Sequence, residues 1–185
     1  MLLSRIREKV GQYNARRLEC STEIRASVVL PLFEKEGNLH ILLTKRTDRV
    51  KAHPGEISFP GGTYERTDLD TRKTALRECY EEVGVNAEDV EIVGRLDDLT
   101  TFTGFVITPY VGIIPYPYSF TINRKEVAYL IYLPFEHLTR SDLVQEQIDY
   151  RGRRETIDAI YYNGERIWGA TCRMLFKLKR IVQGQ

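Results

Sequence analysis

Cysteine is scarce in this chain, whose 185 residues contain only Cys20, Cys79 and Cys172. The three are widely spaced, odd in number and free of any CxxC pair, which excludes a disulfide framework and a cysteine-based zinc site. We therefore expect a protein of a reducing compartment and place it in the cytoplasm.

Long apolar runs and an excess of one charge are also missing. No run approaches the ~20 apolar residues of a membrane-spanning helix. The opening MLLSRIREKV is interrupted by charges, which predicts an amphipathic helix rather than an export signal. The formal net charge is +1, so no overall field attracts nucleic acid or an anionic membrane. We expect neither as a partner, and an acidic substrate has to meet a local basic patch.

The order of predicted elements favours one α/β domain over residues 1–185, with residues 1–20 as an N-terminal helix and lead-in. Apolar, β-branched runs and helical periodicity mark the elements. Strands are predicted at 24–33, 39–45, 90–96, 105–114, 127–133, 147–151 and 156–162, and further helices at 71–83 and 168–182. Helices before, between and after the strands favour a sheet that is covered on both sides.

The chain does contain a cluster of acids on one predicted helix. Glu78, Glu81 and Glu82 have the i, i+3, i+4 spacing that puts three carboxylates on one side of a helix, here called the acid face. Like charges this close repel unless a cation lies among them, and carboxylates are common ligands of Mg²⁺. The pattern indicates metal-assisted phosphate chemistry. The alternative is a solvated surface on which Arg77 pairs with Glu81.

Turn and cap residues favour the functional interpretation. Gly61 and Gly62 form a predicted glycine turn before the helix, and Gly84 follows the last acid as a helix C-cap. At the start of the helix either Asp68 or Asp70 can cap the first turn, and we favour Asp70.

These residues resemble the Nudix box, usually written G-x5-E-x7-R-E-U-x-E-E-x-G-U, where U is aliphatic. Residues 77–85, RECYEEVGV, match its second half, with Cys79 at an aliphatic position. In the first half Asp68 replaces the Glu, and one residue is inserted before Arg77. The resemblance implies a Nudix-type α/β/α sandwich with a mixed β-sheet, and Mg²⁺ or Mn²⁺ bound mainly by the acid face.

A second resemblance lies upstream of the box. Residues 42–46, LLTKR, and 53–62, HPGEISFPGG, are similar to the extra motif of the coenzyme A diphosphatase branch of the Nudix family. Thr47 and Lys51 replace a small residue and an Arg of that motif. The branch also tends to carry the inserted residue and the Asp in its box, so the departure supports the narrower assignment. The resemblance implies hydrolysis of coenzyme A or a derivative to 3′,5′-ADP and a 4′-phosphopantetheine product.

Such a substrate carries a pyrophosphate and a 3′-phosphate, so its enzyme has to supply cations besides the metal. Basic side chains of the upstream loop, Arg49 among them, are suited to this, although a merely solvated loop is the alternative for Arg49. The glycines of the motif permit close backbone approach and positive φ. The substrate-binding residues implied by the resemblance are Arg46, Lys51, His53, Gly61 and Gly62.

The same resemblance implies catalytic roles. The catalytic residues are Glu78, Glu81, Glu82, Arg77 and Glu126, and the metal ligands are Glu78, Glu81 and Glu82. Arg77 is expected to orient one carboxylate through a salt bridge. Glu126, at the start of a predicted strand, resembles the downstream Glu of the family. The base that takes the proton of the attacking water is either Glu78 or Glu126.

Two other functions stay open from the sequence. One is a Nudix hydrolase of another nucleoside diphosphate compound such as ADP-ribose, against which the upstream motif argues. The other is a catalytically silent Nudix-like ligand-binding module, against which the complete acid face argues. A homodimer is also left open.

Overall fold

A computed structural model describes residues 2–19, 23–50, 52–150 and 152–185, and Cys20 and Lys51 lie outside the described residues. The helices are α1 (Leu2–Gly11), α2 (Thr71–Val83), α3 (Phe135–Arg140) and α4 (Gly169–Gln183), with a 3₁₀ turn at Ala87–Asp89. The strands are β1 (Ile24–Lys35), β2 (Asn38–Arg46), β3 (Ile57–Ser58), β4 (Gly61–Thr63), β5 (Glu91–Arg95), β6 (Leu99–Thr100), β7 (Phe105–Ile113), β8 (Val127–Pro134), β9 (Val144–Tyr150), β10 (Arg153–Tyr162) and β11 (Glu165–Trp168).

An eight-stranded mixed sheet forms the centre of the fold, with the strand order β3-β2-β1-β7-β5. β1 runs parallel to β7 and antiparallel to β2. β4 pairs with β1, β6 with β7 and β8 with β2. Eight consecutive residues of β1 are buried, as expected for a central strand that is covered on both faces.

Alternate residues of β1 belong to two separate apolar layers. Leu30 and Leu32 pack in the layer that contains the buried side chains of α1, α3 and α4. Val29 and Phe33 pack with the buried side chains of α2, because successive side chains of a strand point to opposite faces. The sheet therefore lies between α2 and the other three helices, which confirms the predicted α/β sandwich with a mixed sheet.

A smaller antiparallel sheet, β9-β10-β11, lies beside the upstream loop. Its Glu165 accepts hydrogen bonds from Lys45 of β2, at 2.7 Å, and from the hydroxyl of Tyr129. At the start of α4, the Thr171 hydroxyl donates to the carbonyl oxygen of Ile57 at 3.0 Å. These contacts fix β11 and α4 against β2 and the segment that leads to the candidate site.

The glycine pair before α2 differs from its prediction. Gly61 and Gly62 do not form a turn; they lie in β4, extended and paired with Val28 and Ser27 of β1. In this part of the chain positive φ occurs instead at Gly55, at 68°, and His53, at 53°. A Cβ on Gly61 would lie 2.4 Å from the Ser27 carbonyl oxygen. Glycine is required at 61 because of that close backbone approach, not because of its φ.

Six short elements were not predicted: β3, β4, β6, β11, α3 and the 3₁₀ turn at Ala87–Asp89. β11 has four residues and α3 has six, which is too short for either hydrophobic period to stand out. The predicted strands and the two helices predicted with bounds are present; α2 has its predicted bounds, and the rest are shifted by up to three residues. None of the described helices is long and apolar enough to cross a membrane.

Candidate active site

Both ends of α2 are capped as predicted, and the caps fix the orientation of the acid face. The Asp70 carboxylate accepts from the backbone N–H of Lys73 at 2.8 Å. Gly84 has a φ of 75° and its N–H donates to the Tyr80 carbonyl at 2.8 Å, as in a left-handed C-cap. The helix therefore begins and ends at defined residues on either side of the acids.

The acid face is not a uniformly solvated surface. The exposed fraction of the side chain is 50% for Glu81 and 15% for Glu78, but only 2% for Glu82. The apolar stripe of the same helix is buried as predicted at Ala75 and Cys79. A carboxylate as deeply buried as Glu82 needs a partner, so the acid face is a built site.

Arg77 is the side chain that connects these acids. One guanidinium nitrogen, Nη1, lies 2.9 Å from Glu78 Oε1 and 3.1 Å from Glu81 Oε2. The i, i+4 pair with Glu81 is the contact that the solvated-surface alternative expected from the spacing. Arg77 thus orients two carboxylates of the acid face, one more than expected.

Asp68 anchors Arg77 and does not cap the helix. Its two carboxylate oxygens each lie 3.0 Å from a guanidinium nitrogen of Arg77, and it also accepts from the Thr74 hydroxyl at 2.9 Å. The hydrogen bond from Arg77 is the main reason that the pKa of Asp68 falls to about 2. The inserted loop residue therefore places an acid where it fixes the arginine of the box.

Glu82 is paired more weakly than Glu78 and Glu81. Arg46 Nη1 lies 3.5 Å from its Oε1, and its buried Oε2 has no hydrogen-bond partner among the described residues. Burial raises the pKa of Glu82 to about 8, although the Arg46 guanidinium opposes the shift. Burial also raises the pKa of Glu78 against the opposing effect of Arg77. Both carboxylates would be stabilised by an added cation.

Gly62 contacts the acid face from β4. A Cβ at this position would lie 2.4 Å from the carboxylate carbon of Glu78, closer than any side chain tolerates. The strand backbone thus forms one wall of the site. This is the close approach that was expected for the glycine pair, without the positive φ.

Glu126 lies near the acids and is held by a residue that the sequence analysis missed. The Asn123 amide Nδ2 donates to Glu126 Oε1 at 2.9 Å, and the Asn123 backbone N–H donates to the Glu82 carbonyl at 3.0 Å. Glu126 adds to the raised pKa values that burial gives Glu78 and Glu82. Glu126 is only three positions along the chain, but the contact with the Glu82 carbonyl forms only in the folded chain, so no sequence pattern marked Asn123 as a site residue.

The upstream residues divide into two groups. Arg46 reaches the acid face through Glu82, and its Nε donates to the Ala52 carbonyl at 3.3 Å. His53 is exposed and pairs with Glu56 at 3.0 Å rather than with an acid of α2. That hydrogen bond is the main cause of the raised pKa of His53. The structure therefore brings Arg46, but not His53, into contact with the acid face.

The side chains around α2 are of the types that bind a hard cation, but their present positions do not form a metal site. As they stand, no three His, Cys, Asp or Glu groups of the described chain are grouped so that they could hold a metal ion. Each acid is turned toward an arginine instead. Three neighbouring carboxylates, one with a buried oxygen that lacks a partner, are nevertheless the donor set that Mg²⁺ or Mn²⁺ takes.

Comparison with known sequences agrees with this site. The NUDIX domain profile matches residues 23–159. The "Uncharacterized Nudix hydrolase NudL" of Enterobacter sp. (strain 638) is 37% identical over 155 residues, covering 83% of this chain and 80% of that protein. The protein of the same name from Photorhabdus laumondii subsp. laumondii is 33% identical over 159 residues, covering 85% and 84% of the two chains.

Solved structures share the fold at low sequence identity. A MutT/nudix family protein from Enterococcus faecalis has a TM-score of 0.61 and 17% identity, covering 90% of this chain and 64% of that one. The Nudix domain of Shewanella oneidensis NrtR, solved with ADP ribose, has a TM-score of 0.53 and 18% identity, covering 66% and 79%. The resemblance to the Nudix box is confirmed: this chain belongs to the Nudix family and is a Nudix pyrophosphohydrolase that acts on a nucleoside diphosphate derivative.

Proposed function

We propose that the substrate is coenzyme A or a close derivative, and that the enzyme cuts its pyrophosphate to give 3′,5′-ADP and a 4′-phosphopantetheine product. The observation that carries this proposal is the 3.5 Å contact between Arg46 and Glu82. It joins the upstream motif, which is similar to that of coenzyme A diphosphatases, to the acid face. Residues that resemble a substrate motif and residues suited to a metal therefore belong to one site.

In this proposal Glu78, Glu81 and Glu82 are the main ligands of Mg²⁺ or Mn²⁺. When bound, the metal supplies charge neutralisation of the phosphates and a more acidic water. Gly62 keeps the backbone of β4 against Glu78, and the buried position of Glu82 keeps its carboxylate away from bulk water. In this dry setting electrostatic contacts are stronger than at the surface.

Arg77 acts as a positioning residue. In the described conformation its guanidinium holds Glu78 and Glu81 at hydrogen-bond distance while Asp68 fixes it from behind. Because the arginine is anchored, the two acids are confined to a small set of positions before substrate arrives. Such preorganisation lowers the entropic cost of assembling the reacting groups.

The proton of the attacking water goes to a carboxylate, and two candidates remain. Glu78 has a pKa that burial raises, which brings a carboxylate base closer to neutral pH. Glu126 is held near the acid face by Asn123, and as a carboxylate outside the proposed metal ligands it can accept a proton. Substitution of each by Gln, with the pH profile of kcat recorded, separates the two.

We also propose that the enzyme works in the cytoplasm as the single domain of residues 1–185. Cys79 and Cys172 are free and buried, and burial raises the pKa of each thiol to about 12. Buried thiols of this kind are unreactive and agree with a reducing compartment.

The decisive experiment for the substrate is a panel of coenzyme A, ADP-ribose and nucleoside triphosphates, incubated with and without Mg²⁺, with the products separated by chromatography. The proposal expects 3′,5′-ADP from coenzyme A in the presence of Mg²⁺ and a lower kcat/KM for the other compounds. Faster cleavage of ADP-ribose would assign a different substrate. Absence of cleavage of every compound would indicate a silent ligand-binding module.

A further inference from the structure

A second cleft, here called the basic cleft, adjoins the acid face. It has a volume of about 470 Å³ and lies between the end of β2, the loop that follows it and the start of β8. Most of its charged lining is cationic, and the main polar groups around it are Lys45, Arg46, Asp48, Arg49, Arg124 and Tyr129. Because Arg46 also contacts Glu82, the basic cleft and the acid face share a wall.

Two of the four cations in the basic cleft are already paired. Lys45 lies 2.7 Å from Glu165, and Arg46 faces Glu82. Within the described part of the chain, no carboxylate forms a salt bridge with Arg49 or Arg124. Neither guanidinium is therefore neutralised by a direct ion pair there, and the one carboxylate among the described residues that line the cleft is that of Asp48.

The chain holds the two sides of the basic cleft together. The Thr47 backbone N–H donates to the Glu126 carbonyl at 2.8 Å, and its hydroxyl donates to the Lys125 carbonyl at 2.9 Å. The register between β2 and β8 shifts at Lys45 and Arg46, as in a β-bulge that redirects side chains. The Arg124 guanidinium is fixed by the Ala128 carbonyl at 2.8 Å. The cleft is thus a built feature rather than a loose loop.

We propose that Arg49 and Arg124 bind a phosphate monoester of the substrate, separate from the pyrophosphate that is cut. A monoester carries a charge of about −1.5 to −2 at neutral pH, which matches two unpaired guanidinium groups. Arginine suits this task because its planar fork donates two hydrogen bonds to phosphate oxygens. The proposal rests on the proposed function, since in coenzyme A the group is the 3′-phosphate. Arg124 comes from outside the upstream motif and completes the cleft from the opposite side.

The test compares two nucleotides that differ only in this phosphate. Binding of 3′,5′-ADP and of 5′-AMP is measured by isothermal titration calorimetry in EDTA for the wild-type chain, Arg124→Ala, Arg49→Ala and Arg5→Ala. The wild type should bind 3′,5′-ADP at least about tenfold more tightly than 5′-AMP, because a charge-assisted hydrogen bond has an effect of that size. Arg124→Ala and Arg49→Ala should each reduce that preference. Arg5→Ala, which removes an equal charge from the exposed side of α1, should keep it.

Equal binding of the two nucleotides by the wild type would overturn the inference, as would a full preference in both cleft variants. Circular dichroism checks that each variant is folded, and Arg49 and Arg124 are both exposed, so neither substitution removes core packing. Calorimetry needs no turnover. A wild type that prefers 3′,5′-ADP but does not cleave coenzyme A would therefore contradict the proposed reaction and leave the phosphate site standing.

Discussion

Two arginines contact the acid face, and their surroundings differ. Arg77 is anchored by two 3.0 Å hydrogen bonds to the largely buried Asp68 and reaches two acids at 2.9 and 3.1 Å. Arg46 approaches Glu82 only at 3.5 Å, and one oxygen of that buried carboxylate has no described partner. One side of the face is preoriented by the protein, and the other side has the most to gain from an added cation. We therefore propose that the Arg77 side orients the acids and that metal affinity depends chiefly on Glu82.

The largest effect is expected from Glu82→Gln. Loss of a metal ligand should lower kcat more than about a hundredfold, beyond the usual cost of losing an outer partner of a ligand. The fold should persist, because glutamine has the same shape. Glu88→Gln, which removes an equal charge from the exposed 3₁₀ turn, is the matched control for steady-state kinetics at saturating Mg²⁺. Near wild-type turnover of Glu82→Gln would contradict the claim that metal binding depends on the Glu82 side of the acid face more than on the Arg77 side.

A smaller effect is expected when the anchor of Arg77 is removed. Asp68→Asn leaves the arginine in place but weakens its paired hydrogen bonds, and kcat should fall about 10- to 100-fold, as for outer partners of metal ligands. Asp70→Asn changes the neighbouring aspartate on the same loop. Asparagine also caps helices well, so this control should keep its activity. Equal kinetics for the two variants would show that anchoring of Arg77 contributes nothing.

Asn123→Ala tests whether the contact to Glu126 positions that acid. We expect kcat to fall roughly tenfold, the cost of a hydrogen bond to a charged group, with little change in KM. The control is Asn38→Ala at the exposed first residue of β2. In a Glu126→Gln background the Asn123 substitution should have no further effect, because residues that act as one unit are not additive. Additive losses would mean that Asn123 acts elsewhere.

The last expected effect concerns stability without metal and involves no change in turnover. The pKa of Glu82 is raised to about 8 in the folded chain from about 4.3 in an unfolded one. The folded state therefore binds an extra proton between these values, and the free energy of unfolding falls as pH rises through this window. Glu82→Gln should remove this dependence and raise the Tm of the EDTA-treated chain at pH 8 but not at pH 4. An equal change of Tm at both pH values would contradict the claim that ionisation of the buried Glu82 carboxyl destabilises the metal-free chain.

Periodicity predicted much of the fold because its signals are local. The caps at Asp70 and Gly84 and the apolar stripe of α2 depend on residues within a few positions of each other. The glycine pair was misassigned because its conformation depends on a distant partner. Gly61 is extended since it pairs with β1, more than thirty positions away in the chain, and composition alone suggests a turn for two glycines.

The site was predicted as a set of residues but not as a network. Glu78, Glu81 and Glu82 follow from helical spacing, and the pairing of Arg77 with Glu81 follows from the same rule. The contacts of Arg46 with the Glu82 side chain and of Asn123 with the Glu82 carbonyl depend on how β2, α2 and the loop before β8 pack together. No periodic sequence pattern encodes such packing contacts, so they appear only in the folded chain.

Binding of Mn²⁺ to the full chain, measured from the EPR signal of the free ion, tests the metal assignment most directly. The wild type and Glu88→Gln should bind alike, and Glu82→Gln should bind at least about tenfold more weakly. Equal Mn²⁺ affinity for Glu82→Gln and the wild type would contradict the assignment of Glu82 as the carboxylate on which the metal depends.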